Sequence, residues 1–304
     1  MKVVQFRTEQ YQAVGFLDGE HVLDFTRAYI AYCAAHDAPA RAAAHSILQM
    51  IQAGIFSAGL FADVSAFVKK HRLGRQLTVA EGRLPDDAVL LAPIPRPPRI
   101  IALGLNYAAH AEETGKKPPK EPIFFVKAST AVVGPEEPVV CPKRLGRVDP
   151  EVELAVVIGK GGRHISRKKA VEHIAGYTIL NDVTARDMQS RDMAASRPWF
   201  LSKSLDTFGP MGPCIVLPDE IQEPCELGLS LRVNGEVRQK SNTRDLIFGV
   251  PELIHRLSRY VTLEAGDIIS TGTPSGIAPI KPGDVMEAEI EKIGVLRNPV
   301  VGEG

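Results

Sequence analysis

Apolar and polar residues alternate in short runs over residues 1–25 (VVQF, AVGFLDG, HVLDF). Side chains two apart on a strand share a face, so this period predicts β-strands. Asp18-Gly19 predicts a turn between two of them. The pattern then lengthens. Residues 40–53, ARAAAHSILQMIQA, are helix formers, and Gly54 suits a helix stop. A second helix is expected over residues 60–72. Residues 83–99, RLPDDAVLLAPIPRPPR, are rich in Pro and read as a linker holding one short strand. A domain boundary is placed near residue 95, giving a small N-terminal α/β domain (1–95) and a larger one (96–304).

From residue 100 the texture changes. Short apolar runs such as RIIALGLNY, PIFFVK, ELAVVIG, PCIVLP and DIISTGT are punctuated by Gly and Pro. Helical periodicity is confined to residues 166–175, with Ser166 at the N-cap position, and residues 245–259. Many strands and few helices, without regular βαβ alternation, predict an α+β, predominantly β fold.

Composition narrows the function. Lys+Arg and Asp+Glu both number 36 in 304 residues, so the formal net charge is zero. That argues against a nucleic-acid binder relying on bulk positive field. Cys33, Cys141, Cys214 and Cys225 have no CxxC spacing and no zinc-like cluster, so they read as thiols in a reducing compartment. No run approaches the ~20 apolar residues of a membrane helix. The N-terminus lacks a basic segment followed by a long apolar core. A cytoplasmic protein with no membrane partner is expected.

The chemistry centres on DPEVELAVVIG, residues 149–159. It reads as an apolar strand, yet Glu151 and Glu153, two apart, share one face. Two such carboxylates face solvent, pair with Lys or Arg, or hold a cation, and the spacing leaves all three open. Asp182 ends a second apolar strand in YTILNDVTARDMQ. Together the three would offer Mg²⁺ or Mn²⁺ a hard, all-oxygen shell. Lys203 and Arg186 are candidates for offsetting the charge of an anionic substrate. In GLNYAAHAEETG, His110 and Glu113 are three apart, so one helical turn puts an imidazole beside a supporting carboxylate. The Gly115-Lys116-Lys117-Pro118-Pro119 stretch that follows reads as a mobile loop suited to a lid. STGTPSGI, residues 270–277, offers hydroxyl and backbone N–H groups for a carboxylate; it is not a phosphate loop.

In order along the chain, GLNYAAHAEE, PIFFVKASTAVVGP, VDPEVELAVVIGK, AGYTILNDVTARDMQ, SKSLDTFGPMGP, LRVNGEVRQKSNT and DIISTGTPSGI resemble the fumarylacetoacetate hydrolase superfamily over about residues 98–300. The resemblance implies a mixed β-sandwich roll catalytic domain and a homodimer. It implies Mg²⁺ or Mn²⁺ on Glu151, Glu153 and Asp182, and His110 and Glu113 as a lid-helix dyad that activates water. It matches Lys203 to the lysine near metal and substrate, and Arg186, Gln189 and Thr273 to substrate contacts. It departs at Pro150, where an aromatic residue is common, and at Ala128, where Pro often follows Lys127. Proline has no N–H, so the strand is expected to be unpaired there. The implied reaction is hydrolysis of a C–C bond in a small 2-oxo or 1,3-diketo acid, acylpyruvate-like. The alternative is an isomerase or decarboxylase acting on 2-hydroxymuconate-type or oxaloacetate-type acids in aromatic-compound catabolism.

Overall fold

The computed structural model describes residues 1–18, 21–78, 88–222 and 226–304. Gly19 of the expected turn, Cys225 and the first residues of the expected linker lie outside that set. Among the described residues most regular structure is β. Nine strands of an 11-stranded sheet run in the order His21–Asp24, Gln12–Asp18, Lys2–Arg7, Gly209–Val216, Ile174–Asn181, Val152–Ile158, Ile268–Ser270, Ile100–Gly104, Ile123–Lys127, and Val132–Val133 pairs with Gly209–Val216 off this path. The short strand Val89–Leu91, foreseen in the Pro-rich stretch, pairs with Lys2–Arg7. A five-stranded sheet is built from Glu236–Asn242, Gly228–Val233, Val285–Ile290, Gly294–Gly302 and Val139–Cys141. No helix among the described residues is long and apolar enough to cross a membrane.

The strand Val152–Ile158 explains its own composition. It lies between two neighbours, Ile174–Asn181 and Ile268–Ser270, and every residue in it is buried. Val152, Leu154, Val156 and Ile158 join one core cluster, while Ala155 and Val157 join the other. A strand covered on both faces needs an unbroken apolar run, not an alternating one. Glu151 and Glu153 have the parity of Ala155 and Val157 and sit at the end of that face. The pair is buried, so the solvent-facing alternative is excluded.

Pro150 breaks the expected strand over residues 149–159. Val148–Asp149 pairs with Thr184–Ala185, and the main strand starts at Val152. The N–H of Glu151 donates instead to Asn181 Oδ1 at 2.8 Å, and its carbonyl accepts from Asp182 N–H at 2.8 Å. The ladder is thus replaced by a side-chain bond at the point where proline has nothing to donate.

Several helical expectations are corrected. Residues 40–53 split at Ser46 into a 3₁₀ turn, Ala42–His45, and a helix, Ile47–Gln52, because the Ser46 hydroxyl caps the second piece. The next helix is Ala58–Lys70, capped by Ser57. Residues 166–175 form a 3₁₀ helix, Arg167–His173, and Ser166 makes no side-chain cap bond. The last helix starts at Val250, after Gly249 and with Pro251 in its first turn, and runs to Tyr260; residues 243–245 form a separate 3₁₀ turn. Helix Phe25–Ala35 was not foreseen. The Asp24 carboxylate caps it, accepting from Arg27 N–H at 2.8 Å.

Candidate metal centre and active site

Two strand ends, the helices Ala108–Glu113, Arg186–Ala194 and Phe200–Lys203, and the turn after Ile268–Ser270 converge on one place. Glu151 and Glu153 come from the start of Val152–Ile158, and Asp182 follows Ile174–Asn181. These strands are antiparallel neighbours with Glu153 opposite Leu180, so the start of one meets the end of the other. One oxygen from each of the three carboxylates lies within 4.8 Å of the other two. All three residues are buried, at 3%, 1% and 0% exposure in chain order.

Unpaired, such a cluster is costly, because carboxylates repel and their water is gone. The structure answers with cations. Lys203 Nζ donates to Glu151 Oε2 at 2.8 Å and Asp182 Oδ2 at 2.5 Å. Arg186 bridges Glu151 and Asp149, with Nε 2.7 Å from Asp149 Oδ2, and donates to Gln189 Oε1 at 2.6 Å. Lys127, fully buried, lies 3.0 Å from Asp182 Oδ1, which is otherwise without a hydrogen-bond partner among the described residues. Its Nζ also donates to the Lys203 and Val183 carbonyls.

The ionisation follows from these neighbours. Burial alone would raise the Glu151 carboxyl, but Lys203, Arg186 and His110 outweigh it and hold it well below the usual range. Glu153 has no such cation against it; burial first, then the charges of Asp182 and Glu151, push it well up. Burial opposes a charged Lys203, yet Asp182 and Glu151 carry its pKa above the ordinary value. For Lys127 burial prevails and its pKa falls.

Glu153 is the least compensated charge. Its Oε2 accepts from the Ser270 hydroxyl at 2.6 Å and the Gly272 N–H at 2.9 Å. Gly272 has φ +95°, and an added Cβ would stand 2.9 Å from Asn106 Cβ, so the turn needs glycine. The residues fit a divalent cation: hard oxygens, buried, mutually close, with Asp182 Oδ1 outside any hydrogen bond and Glu153 in no ion pair among the described residues.

His110 and Glu113 lie on the helix Ala108–Glu113. Glu113 Oε2 is 3.1 Å from His110 Nδ1, and its Oε1 accepts from Gly276 N–H at 2.9 Å. The STGTPSGI turn therefore does bind carboxylates, and they are the protein's own Glu153 and Glu113. A cavity of about 210 Å³ is lined by His110, Glu151, Arg186, Gln189, Lys203 and Thr273. Glu113, Glu153 and Asp182 stand behind this wall. The Thr273 hydroxyl is spoken for, donating to Val152 O at 3.0 Å and accepting from Gln239 Nε2 at 2.9 Å.

Sequence reasoning missed three groups: Lys127, Asp149 and Asn181. Lys127 was visible only as the end of an apolar strand, PIFFVK. Asp149 and Asn181 each stand next to a candidate ligand or one residue removed, which is signal enough to ask what they hold. Lys127→Met should destabilise the metal-free protein by about 3 kcal/mol, since removing one member of a buried ion pair strands the other. Urea unfolding of the metal-free variant checks this, and an unchanged midpoint refutes it.

The fumarylacetoacetate (FAA) hydrolase C-terminal family matches residues 99–301. A mitochondrial oxaloacetate tautomerase of Rattus norvegicus is 45% identical over 247 residues, 79% of this chain and 77% of that one. The crystal structure of maleylpyruvate hydrolase from Sphingobium sp. SYK-6, in complex with manganese(II) and pyruvate, superposes with TM-score 0.75 at 31% identity, covering 100% of both chains. The 5-carboxymethyl-2-hydroxymuconate delta-isomerase of Mycobacterium smegmatis superposes with TM-score 0.73 at 32% identity, again over 100% of both.

Proposed function

The chain belongs to the fumarylacetoacetate hydrolase family, and from that membership we propose that it is an enzyme handling a small 2-oxo acid through its enol or enolate form. One observation carries the reading: His110 of a His–Glu dyad and Glu151 of a buried carboxylate triad line the same small cavity.

Glu151, Glu153 and Asp182 would hold the ion. A bound Mg²⁺ or Mn²⁺ would supply Lewis-acid polarisation of a 2-oxo group, and the manganese of the Sphingobium hydrolase supports Mn²⁺ as readily as Mg²⁺. The other roles belong to this chain's side chains. Glu113 accepts from Nδ1–H of His110, which leaves Nε2 as the basic nitrogen of the neutral ring. That nitrogen moves the proton, either from the carbon beside the 2-oxo group or from water. Lys203, held as a cation by Glu151 and Asp182, offsets negative charge developing on the substrate oxygen. Arg186 and Gln189 line the cavity and orient the carboxylate, and Thr273 shapes it without lending its hydroxyl, which is already engaged.

Two outcomes of the same enolate chemistry are distinguished by product. Tautomerisation comes first, because relatives 43–45% identical over 79% of the chain carry the name oxaloacetate tautomerase. C–C hydrolysis is the second reading, favoured by a dyad suited to water activation and by the hydrolase among the solved structures. The apolar surface around Val126, Phe200 and Leu201 supports the homodimer as the working form.

The test is product analysis. The protein is incubated with Mg²⁺ or Mn²⁺ and a panel of 2-oxo acids in D₂O and followed by NMR. Tautomerisation exchanges the protons beside the 2-oxo group and leaves the carbon skeleton whole. Hydrolysis yields two acids, and decarboxylation yields CO₂. If no 2-oxo acid in the panel is altered above the metal-only control, the reading is wrong.

A further inference from the structure

The loop after the His110 helix brings a second cation to the cavity. Lys116 is half-buried and lines the same space as Glu151, Arg186 and Lys203. Those three are each engaged in the buried ion-pair network, but Lys116 is not. Its ammonium lies 3.9 Å from Met193 Sδ and 6.0 Å from the centre of the Trp199 ring. A thioether and an aromatic face are weak partners for an ammonium. Among the described residues no carboxylate is paired with it.

The surroundings make that lack a cost. Burial, and then the positive charge of Arg186, lower the Lys116 pKa. A cation placed near another cation, with no acid beside it, is stabilised by an arriving anion.

The cavity joins two kinds of lining. Glu151 and Lys203 are deeply buried and charged. Phe125, Met193 and Trp199 are apolar, with Lys203 Nζ 5.2 Å from the centre of the Phe125 ring and Lys116 Nζ 6.0 Å from that of Trp199. Trp199 packs edge-on against Phe125 with ring centres 5.5 Å apart. It also covers Gly104 so closely that a Cβ there would stand 2.8 Å from the ring. Two ammonium groups, each over one ring of the Phe125–Trp199 pair, suit a short chain that ends in a second carboxylate.

We propose that Lys116 receives the distal carboxylate of the substrate, so that the enzyme selects 2-oxo dicarboxylic acids over 2-oxo monoacids of the same length. The inference rests on the reading of this cavity as a 2-oxo acid site, which it deepens by naming the substrate class. Lys116 is a binding residue and takes no part in proton transfer.

Lys116→Ala and Lys116→Arg test it on a matched pair: a 2-oxo diacid, and the same molecule with the distal carboxylate replaced by a methyl group. The Ala variant should raise KM for the diacid about 10- to 100-fold, the range of a charge-assisted hydrogen bond. Its kcat for the diacid, and both constants for the monoacid, should stay at wild-type values. The Arg variant should keep the preference for the diacid. A second readout needs no turnover. Trp199 is the only tryptophan in the chain, so its fluorescence follows the binding of a saturated alkane dicarboxylate against that of the monocarboxylate. Lys116→Ala should weaken only the former, by the same factor. Equal weakening of both ligands, or no change for the diacid, overturns the proposal. If the wild type alters no 2-oxo acid but the Lys116-dependent dicarboxylate binding is present, the functional reading fails and this assignment stands. If turnover is present and Lys116→Ala leaves the diacid KM unchanged, the reverse holds.

Discussion

Glu153→Gln is expected to weaken Mg²⁺ or Mn²⁺ binding by more than about 100-fold and to remove metal-dependent turnover with it. Loss of an outer partner alone costs ~10–100-fold in a metal site, and Glu153 is placed as a direct ligand. Glutamine keeps the shape and can still accept from Ser270 and Gly272, so the expected loss is of charge and not of fold. Stability separates the two. At a metal concentration of 100 Kd the wild type should gain about 2.7 kcal/mol of stability, and the variant less than about 0.4 kcal/mol.

Without metal the sign reverses. Glu153 has its pKa raised, by burial first and by the Asp182 and Glu151 charges second. A carboxyl with a raised folded pKa imposes no penalty below its unfolded value of about 4.3. The penalty grows as pH rises from there toward the folded value. Metal-free Glu153→Gln should therefore melt above the metal-free wild type at pH 8 and level with it below pH ~4. Metal content by equilibrium dialysis and melting curves at both pH values check this. A variant that keeps wild-type metal content and activity removes Glu153 from the site.

His110→Ala is the second large effect. A positioned general base contributes about 10²–10⁴-fold, so kcat should fall by that factor. Metal affinity should stay near the wild-type value, because His110 contributes no ligand to the carboxylate cluster. Glu113→Gln should cost less. A glutamine has one acceptor oxygen where the carboxylate offers two, one for His110 Nδ1 and one for Gly276 N–H. Losing one of two hydrogen bonds corresponds to about tenfold. The ordering, with His110→Ala well below Glu113→Gln and both retaining metal, is the signature of a base supported by a carboxylate. A His110→Ala enzyme with wild-type kcat would show that the proton is moved by another group.

Much of the site is legible because it rests on local periods. The spacing of His110 and Glu113 places them on one helical turn, which holds in the fold; Glu151 stands just before the strand that carries Glu153, yet their carboxylates still come together. Other elements were hidden for reasons of the same kind. Helix Arg186–Ala194 buries only Gln189, so it has no apolar stripe to read. Helix Phe25–Ala35 follows a strand without a loop; the Asp24 cap and the buried Phe25, Ala28, Tyr29 and Cys33 at helical spacing are its local marks. Residues 166–175 have the composition of an α-helix, yet they wind as 3₁₀ and pack against Val250–Tyr260; tertiary packing overrides so short a propensity.

By itself the sequence determined the predominance of strands, the acidic pair, the dyad, and the likeness to one family through motifs in fixed order. Those features depend on residues within a few positions of each other, where chain geometry dictates which side chains are neighbours. Only the tertiary structure decided that Lys2–Arg7 hydrogen-bonds to Gly209–Val216. It alone paired Lys127 with Asp182, gave Glu153 the hydroxyl of Ser270, and left Lys116 facing the cavity without an acid. These partners stand tens to hundreds of residues apart, and their meeting depends on how the whole sheet closes, which no local period records.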